Sequence, residues 1–517
     1  MTHSTETATA DSPRAGRREW IGLAVIALPC LLYSMDLTVL NLAVPHLSAD
    51  LKPTSSQLLW IVDIYGFLVA GSLITMGTLG DRIGRRKLLL IGAAAFGIAS
   101  VLAAFATTPN QLIAARALLG IAAATLAPST LSLIRNMFLD PQERTVAIGV
   151  WIASFSAGGA IGPLVGGLLL TQFWWGSVFL ANVPVMILLL AVGPWLLPEY
   201  KDPNAGRLDL VSAAMSLVAV LAVIFGIKRI AEHGIGALAW APIAAGILIG
   251  VLFVARQKRL ADPLIDFRLF RSPAFSAAVA VNVLGFSVAF GSFLLIAQYL
   301  QLVLGMTPLE AGLWTAPSAV GFIAGSMIAP RLTRAFRPAY VMTGGLLTSA
   351  AGFALLTQIG GPHGLAVVVV GYVILSLGMA PVVTLTTDLI VGAAPPEKAG
   401  SASAISETGA EFGGAVGIAV LGSIVTAIYR SAMATAVPAG VPAAAADAAR
   451  DTLGGAVAVA SGLAGPAAGE LIGTARMAFT GALELTALIS ACVSVAAALV
   501  ALALLARAEP APVEAET

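Results

Sequence analysis

Residues 157–167 read AGGAIGPLVGG, and residues 412–422 read FGGAVGIAVLG. Gly158, Gly159, Gly162 and Gly167 of the first stretch return as Gly413, Gly414, Gly417 and Gly422 of the second, displaced by 255 residues. Upstream, Pro141-Gln142-Glu143-Arg144 returns as Pro395-Pro396-Glu397-Lys398 and Ala127-Pro128 as Ala380-Pro381, displaced by 254 and 253. Three matches in chain order at nearly one displacement describe an internal duplication.

The surroundings say what is duplicated. Of 517 residues 58% are hydrophobic and 11% charged, against roughly 25% charged in a soluble domain. Apolar runs of about 20 residues recur through the chain, the length that crosses a bilayer of about 30 Å. They are continuous and rich in Gly, Ala and Leu, which fits helices and not the short alternating strands of a barrel. Spans are expected near 20–45, 58–80, 88–107, 112–134, 145–170, 177–197, 209–227, 238–255, 274–299, 308–330, 339–358, 364–392, 401–427 and 477–505. The duplication then relates spans four and five to spans twelve and thirteen. That spacing needs two six-helix halves with two further helices between them, a known transporter design with its site at the midplane between the halves.

The chain divides accordingly into a tail at 1–19, a bundle at 20–200, an inserted helix pair at 208–255, a second bundle at 274–505 and a tail at 506–517. Within the second bundle, residues 428–476 form a long Ala/Gly-rich loop, read as a cap or hairpin on the outer face or as an insertion. The first apolar run has no small-residue cleavage site, so it is read as an uncleaved helix. Of the 28 basic residues, 21 fall on the side of the two tails and 6 on the other. That bias places both termini in the cytoplasm of a multi-pass plasma (inner) membrane protein. A net charge of +1 gives no reason to expect a nucleic-acid partner. Cys30 and Cys492 lie in separate apolar runs and read as packing residues.

After span two comes GTLGDRIGRRK, Gly77 to Lys87. Gly77 and Gly80 allow two helices to approach, Asp81 can accept hydrogen bonds at a helix end, and the basic cluster holds the loop inside. The set Gly77, Gly80, Asp81, Arg82, Gly84, Arg85, Arg86 resembles the cytoplasmic signature of the major facilitator superfamily. A degraded copy, PRLTR at Pro330–Arg334, has Pro330 in place of the acid, so the second half is expected to lack this latch. In span five, Gly158, Gly162 and Gly166 share one helix face beside Pro163 and Gly167, a face that packs closely and can bend. GGAIGPLVGG resembles the motif of the superfamily's antiporters. MDLTVLNLAVP (Met35–Pro45) and WWGSVFLANVP (Trp174–Pro184) are similar to the fourteen-span drug:proton antiporters, the second to the quaternary-ammonium and methyl-viologen efflux branch. Arg116-Ala117-Leu118-Leu119-Gly120 resembles the antiporters' basic motif, with Leu119 where a Gln is usual.

The resemblance implies an all-α integral membrane protein with the major facilitator fold: two pseudo-symmetric six-helix bundles plus two inserted helices, fourteen spans in all. It implies proton-coupled export of lipophilic, cationic compounds such as quaternary ammonium compounds, dyes and antibiotics. A dedicated exporter of an endogenous metabolite or antibiotic and a proton-coupled nutrient importer are the alternatives; the glycine motif of span five argues against the importer.

Charged groups inside a span cost about 2.5–3.5 kcal/mol each on insertion scales and are functional candidates for that reason. Asp36 and Asp63, mid-depth in spans one and two, are candidate proton-linked or cation-facing groups, with Arg116 as a possible ionic partner. Glu407 and Glu411 are four residues apart on one face of span thirteen. Two carboxylates there repel when both are ionised, so the pair can hold a proton or a cation, the competition an antiporter needs. Asp388, near the inner end of span twelve, is expected to face water. Trp60, Tyr65, Trp151, Phe155, Phe290 and Phe293 could stack on aromatic cations. The efflux branch often has an acid in span ten, where PSAVGF (Pro317–Phe322) has Phe322, which puts divalent cations in question.

Enzyme signatures are missing: there is no GxxxxGK[ST] loop for ATP, no HExxH and no Cys/His metal spacing. The expected chain is therefore not an enzyme, takes no cofactor or metal, draws on the proton gradient, and works as a monomer in the lipid bilayer with small lipophilic substrates and protons.

Overall fold

The computed structural model describes residues 14–53, 55–201, 209–233, 237–260, 263–395, 399–438, 441–463 and 466–505. Most of both tails, together with Arg207 and the repeat residues Pro396, Glu397 and Lys398, lies outside the described residues. The chain forms seventeen α-helices in that described part: α1 Arg17–Leu51, α2 Ser55–Ile83, α3 Arg85–Ala104, α4 Pro109–Met137, α5 Pro141–Gln172, α6 Ser177–Leu180, α7 Asn182–Leu196, α8 Leu210–His233, α9 Ala237–Gln257, α10 Pro273–Gln298, α11 Pro308–Ala335, α12 Pro338–Leu356, α13 Gly364–Gly392, α14 Ala399–Ala436, α15 Ala443–Asp451, α16 Leu453–Ser461 and α17 Pro466–Leu505. Among the described residues, thirteen spans are long and apolar enough to cross a membrane, with α6 and α7 counted as one; α8 adds a shorter apolar stretch at Leu210–Val223.

Several of these helices start with one local device. Thr108, Asp140, Ser272 and Thr307 each cap a helix whose next residue is proline, and each side chain accepts a backbone N–H of the first turn. Proline at that place has no donor to leave unsatisfied and its φ is already helical. At the start of α3 the chain instead turns through Gly84, whose φ of 112° favours glycine.

The duplication is visible in the packing. In the first half α1 packs along α5 and α2 along α4; in the second α10 packs along α14 and α11 along α13. The repeated glycines make those contacts. A Cβ on Gly158 would overlap the Leu31 carbonyl of α1, and one on Gly417 would overlap the Ser287 carbonyl of α10. Gly166 likewise faces Val39, whereas a Cβ on Gly167 would meet nothing within 4 Å. The α1-facing part of the motif is therefore Gly158 and Gly166, one helix face; Gly162 is buried, and the Pro163 side chain lies outside the described residues.

The halves meet along two seams that the duplication relates to each other, α2 against α14 and α5 against α11. Large aromatic side chains are exposed at both ends of the bundle: Trp20, Trp195, Phe336 and Tyr340 at the end holding the 84–87 loop, Phe105, Trp174, Trp240 and Trp314 at the other. Such girdles mark the two interfaces of a bilayer. The segment 428–476, read from the sequence as a connecting loop with helices in a cap or hairpin or as an insertion, is largely helical in its described part. α14 runs on to Ala436, α17 begins at Pro466, and α15 and α16 pack as a hairpin through Ala446, Ala449, Leu453 and Ala456 onto the second half's apolar core. Ala-rich sequence without charge runs is weakly hydrophobic yet strongly helix-forming, which explains why hydropathy ended those spans early.

Candidate functional site

Glu407 and Glu411 stand on successive turns of α14, both part-buried at the interface between the halves. The buried Tyr33 of α1 reaches across from the first half and donates its hydroxyl to Glu411 Oε1 at 3.0 Å. Glu407 lies within electrostatic reach of Tyr33 and Cys30 and makes no hydrogen bond or ion pair among the described residues. Around Tyr33 the first half builds an aromatic wall. Its ring sits 5.5 Å from Phe155 and 6.1 Å from Tyr65, Phe155 sits 4.7 Å from Trp151, and the Trp151 indole donates to Thr130 Oγ1 at 2.9 Å. Tyr33 was not singled out from the sequence, since a tyrosine in an apolar helix carries no motif; only its partner on a helix 378 residues away reveals it.

Asp36 is placed differently. Its Oδ2 accepts from Arg116 Nη1 at 2.6 Å, with both side chains buried. The same guanidinium donates through Nε to the Ile61 carbonyl at 3.1 Å and lies 4.7 Å from the Tyr65 ring centroid. One cation thus joins α1, α2 and α4. Asp63 belongs to α2, and its side chain lies outside the described residues.

The other aromatic candidates separate. Phe290 and Phe293 of α10, with Phe322 of α11 and Tyr372 and Met379 of α13, line a pocket of ≈ 250 Å³ in the second half. Phe290 also packs over Gly414, three residues beyond Glu411 on α14. Trp60 does not join: it is 43% exposed near the far end of α2, beside Phe67.

At the end of the molecule holding the basic loop, the halves are fastened together. A Cβ on Gly77 of α2 would sit 2.5 Å from the Gly400 carbonyl of α14. Asp81 accepts from the backbone N–H groups of Gly400 and Ser401, at 3.4 and 3.2 Å, at the first turn of α14. A carboxylate is favoured there by the unpaired amides and the helix dipole. Arg85, fully buried, pairs with Asp81 and donates to the Gly77 carbonyl at 2.8 Å; Gly80 leaves room for it, since a Cβ there would be 3.0 Å from Arg85 Nη1. Arg82 is part-buried beside them. Arg86 turns instead to the first half, donating to the Pro194 and Leu197 carbonyls at 2.9 and 3.1 Å. Glu199 completes the loop by accepting from the Arg86 and Lys87 amides, both at 3.2 Å; an acid in a connector gives no sequence signal of that role.

On the related seam the expectation for Asp388 is corrected. It does not face open water: Arg144 Nε and Thr145 Oγ1 of α5 both donate to its carboxylate at 2.8 Å, joining α5 to α13 across the halves. Hydropathy placed Asp388 near a helix end, and only the packing of α5 against α13 puts a cation there. A Cβ on Gly149 of α5 would sit 2.9 Å from the Ser326 carbonyl of α11, so this seam is closely packed as well. The degraded copy carries no such contacts: Arg331 and Arg334 are exposed and make no ion pair among the described residues.

Comparison with known proteins agrees with this architecture. The curated multidrug efflux pump LfrA of Mycolicibacterium smegmatis is 44% identical to this chain over 79% of it and 81% of the pump. The methyl viologen resistance protein SmvA of Salmonella typhimurium is 37% identical, over 78% and 81%. The tetracenomycin C resistance and export protein of Streptomyces glaucescens is 32% identical, over 80% and 78%. The solved human organic anion transporter MFSD10 superposes with a TM-score of 0.61 over 92% of this chain and 99% of that one; at 15% identity this speaks to the fold alone. Residues 26–418 match the Major Facilitator Superfamily as a whole. With two duplicated six-helix halves, a glycine-acid-arginine latch between them and relatives of this identity, the chain belongs to the major facilitator superfamily.

Proposed function

We propose that this protein is a proton-coupled multidrug efflux antiporter that exports lipophilic cationic compounds across the plasma membrane, with the basic end and both termini in the cytoplasm. The observation that carries the reading is the acid pair of α14 facing the aromatic wall of the other half. A carboxylate in apolar surroundings is unfavourable as a bare anion, so it holds either a proton or a cation. Glu407 and Glu411 are the exchange point, and Asp36 enters through its pair with Arg116. Phe155, Trp151 and the Phe290 pocket supply apolar and aromatic surface to the rest of the cargo. Protons arriving from outside displace the cargo cation, and the basic-end fastenings reform as the halves rock. One charge moving through 100 mV supplies about 2.3 kcal/mol, enough for concentration work without ATP or a cofactor.

The likeness to a multidrug efflux pump and to a methyl viologen resistance protein supports the cargo class. Relatives that export antibiotics support, as a second reading, a narrower cargo made by the cell itself. The test is ethidium and quaternary-ammonium transport in inverted membrane vesicles with an imposed pH difference. Parent protein is expected to accumulate both compounds and to stop when the gradient is collapsed. Glu407→Gln and Glu411→Gln are expected to lose gradient-driven transport, and unchanged transport in both would remove the acid pair from the mechanism.

A further inference from the structure

The two seams between the halves are related by the duplication, yet they are not dressed alike. Helix α8 lies along α2 and α14 together. Near the basic end Ala213 shares an apolar cluster with Ile74 of α2 and Ile405 of α14. Further along, Val220 and Leu221 pack with Phe67 and Ala70 of α2 and Ala415 of α14. Leu217 and Leu221 fill the notch at Gly71, where any Cβ would overlap Leu217. At the related seam, α5 against α11, neither α8 nor α9 packs onto either helix among the described residues.

The covered seam is the one that carries the acid pair of α14. Gly400 and Ala404 face α2 through Gly77, and Ala415 faces it through Phe67 and Ala70. Glu411 is seven residues past Ala404 and four before Ala415, so at 3.6 residues per turn it lies on the same α2-facing side of α14. Shifted back by the repeat distance of 255, Glu407 and Glu411 become Ile152 and Ser156, neither charged, on α5 at the uncovered seam. The extra helix therefore stands on the seam that holds the Glu407/Glu411 pair, whereas the acid at the other seam, Asp388, is neutralised by Arg144 near the basic end.

Its fastening suits a moving seam. Among the described residues, the polar contacts within the pair α8–α9 and from it to the following connector lie at the basic end. Asp209 accepts from Arg256 Nε at 2.9 Å, Ser212 Oγ accepts from Gln257 Nε2 at 2.6 Å, and Gln257 Oε1 accepts from the Leu264 amide at 2.6 Å. Leu264 in turn takes the Ser401 hydroxyl at 2.8 Å, beside the Asp81 contact. Above that pinned end the contacts to α2 and α14 are apolar and can slide.

We propose that the inserted pair α8–α9 is a lateral wall that keeps the α2/α14 seam, and with it the acid pair, out of contact with the lipid tails, leaving α5/α11 as the seam through which a bilayer-dissolved compound can reach the interface. The proposal rests on the antiporter reading only for the purpose of the wall, not for its existence. The test therefore begins without transport. In a chain with Cys30 and Cys492 replaced by Ala and reconstituted in vesicles, Ala70→Cys on the covered seam, Leu168→Cys on the exposed face of α5 and Val218→Cys on the exposed face of α8 are each reacted with a bilayer-dissolved maleimide. Ala70→Cys is expected to react at least tenfold more slowly than the other two. Adding Arg256→Ala and Gln257→Ala, which unpin the hairpin, is expected to speed labelling of Ala70→Cys and raise passive acidification of the vesicles, with Val218→Cys unchanged. Labelling of Ala70→Cys as fast as Val218→Cys in the pinned chain would overturn the wall. Slow labelling with no gain in acidification after unpinning would overturn its role in shielding the acids. Neither result depends on whether drug efflux itself is observed.

Discussion

The Asp36–Arg116 pair allows structure and chemistry to be separated in one cycle of substitutions. Both side chains are almost fully buried, 4% and 1% exposed, and their closest atoms are 2.6 Å apart. Breaking a buried pair by removing one partner costs about 3–5 kcal/mol, because the other charge stays buried without compensation. In Asp36→Leu the guanidinium keeps the Ile61 carbonyl and the Tyr65 ring. A desolvated cation–π contact is worth about 2 kcal/mol, so the loss is expected at the low end, about 3 kcal/mol. Replacing both residues with apolar ones of similar volume is often neutral or better; Asp36→Leu with Arg116→Met is expected within about 1 kcal/mol of the parent. The measurement is denaturant unfolding in lipid-detergent micelles, followed by tryptophan fluorescence, with gradient-driven ethidium transport on the same preparations. A stable double variant that still transports would make the pair an anchor for α1, α2 and α4; a stable but silent one would give Asp36 a part in coupling. The reasoning fails if Asp36→Leu alone unfolds within about 0.5 kcal/mol of the parent, or if the double variant is no more stable than the single.

Other expectations follow from single contacts. Tyr33→Phe removes the hydrogen bond from Tyr33 to Glu411; a neutral-to-charged bond is worth about 1.5–3 kcal/mol, so cargo affinity in binding titrations should shift about tenfold or more while the fold survives. Asp388→Ala leaves Arg144 without its carboxylate across the seam, and should raise reactivity of a cysteine placed at Thr384 toward water-soluble reagents from the basic end. Gly158→Val and Gly417→Val should fail alike, since each side chain would overlap a carbonyl of the neighbouring helix; overpacking costs typically 1–3 kcal/mol, seen as reduced yield of monodisperse protein. If Gly417→Val is tolerated while Gly158→Val is not, the duplicated helix contact is not equivalent in the two halves.

The duplication, the two halves and the inserted pair were legible in the sequence because each is a pattern along the chain. Glycines recurring at one displacement mark helix faces that must approach, and runs of about 20 apolar residues can satisfy their backbone in lipid only as helices. Gly77, Asp81 and the basic cluster were recognisable because a close approach, a helix-end acceptor and a loop held inside by its charge occur within eleven residues, whereas the burial of Arg85 against Asp81 was not. Partners were not legible. Tyr33 with Glu411, Asp388 with Arg144, and Glu199 with the Arg86 amide each join residues more than a hundred positions apart, and nothing in either local sequence specifies the other. Sequence alone set which groups had to be buried, through the cost of leaving apolar side chains in water and backbone groups unpaired in lipid. Which buried charge meets which neighbour, and which seam the extra helices cover, was decided by tertiary packing, because those choices depend on distances between helices that no stretch of chain contains.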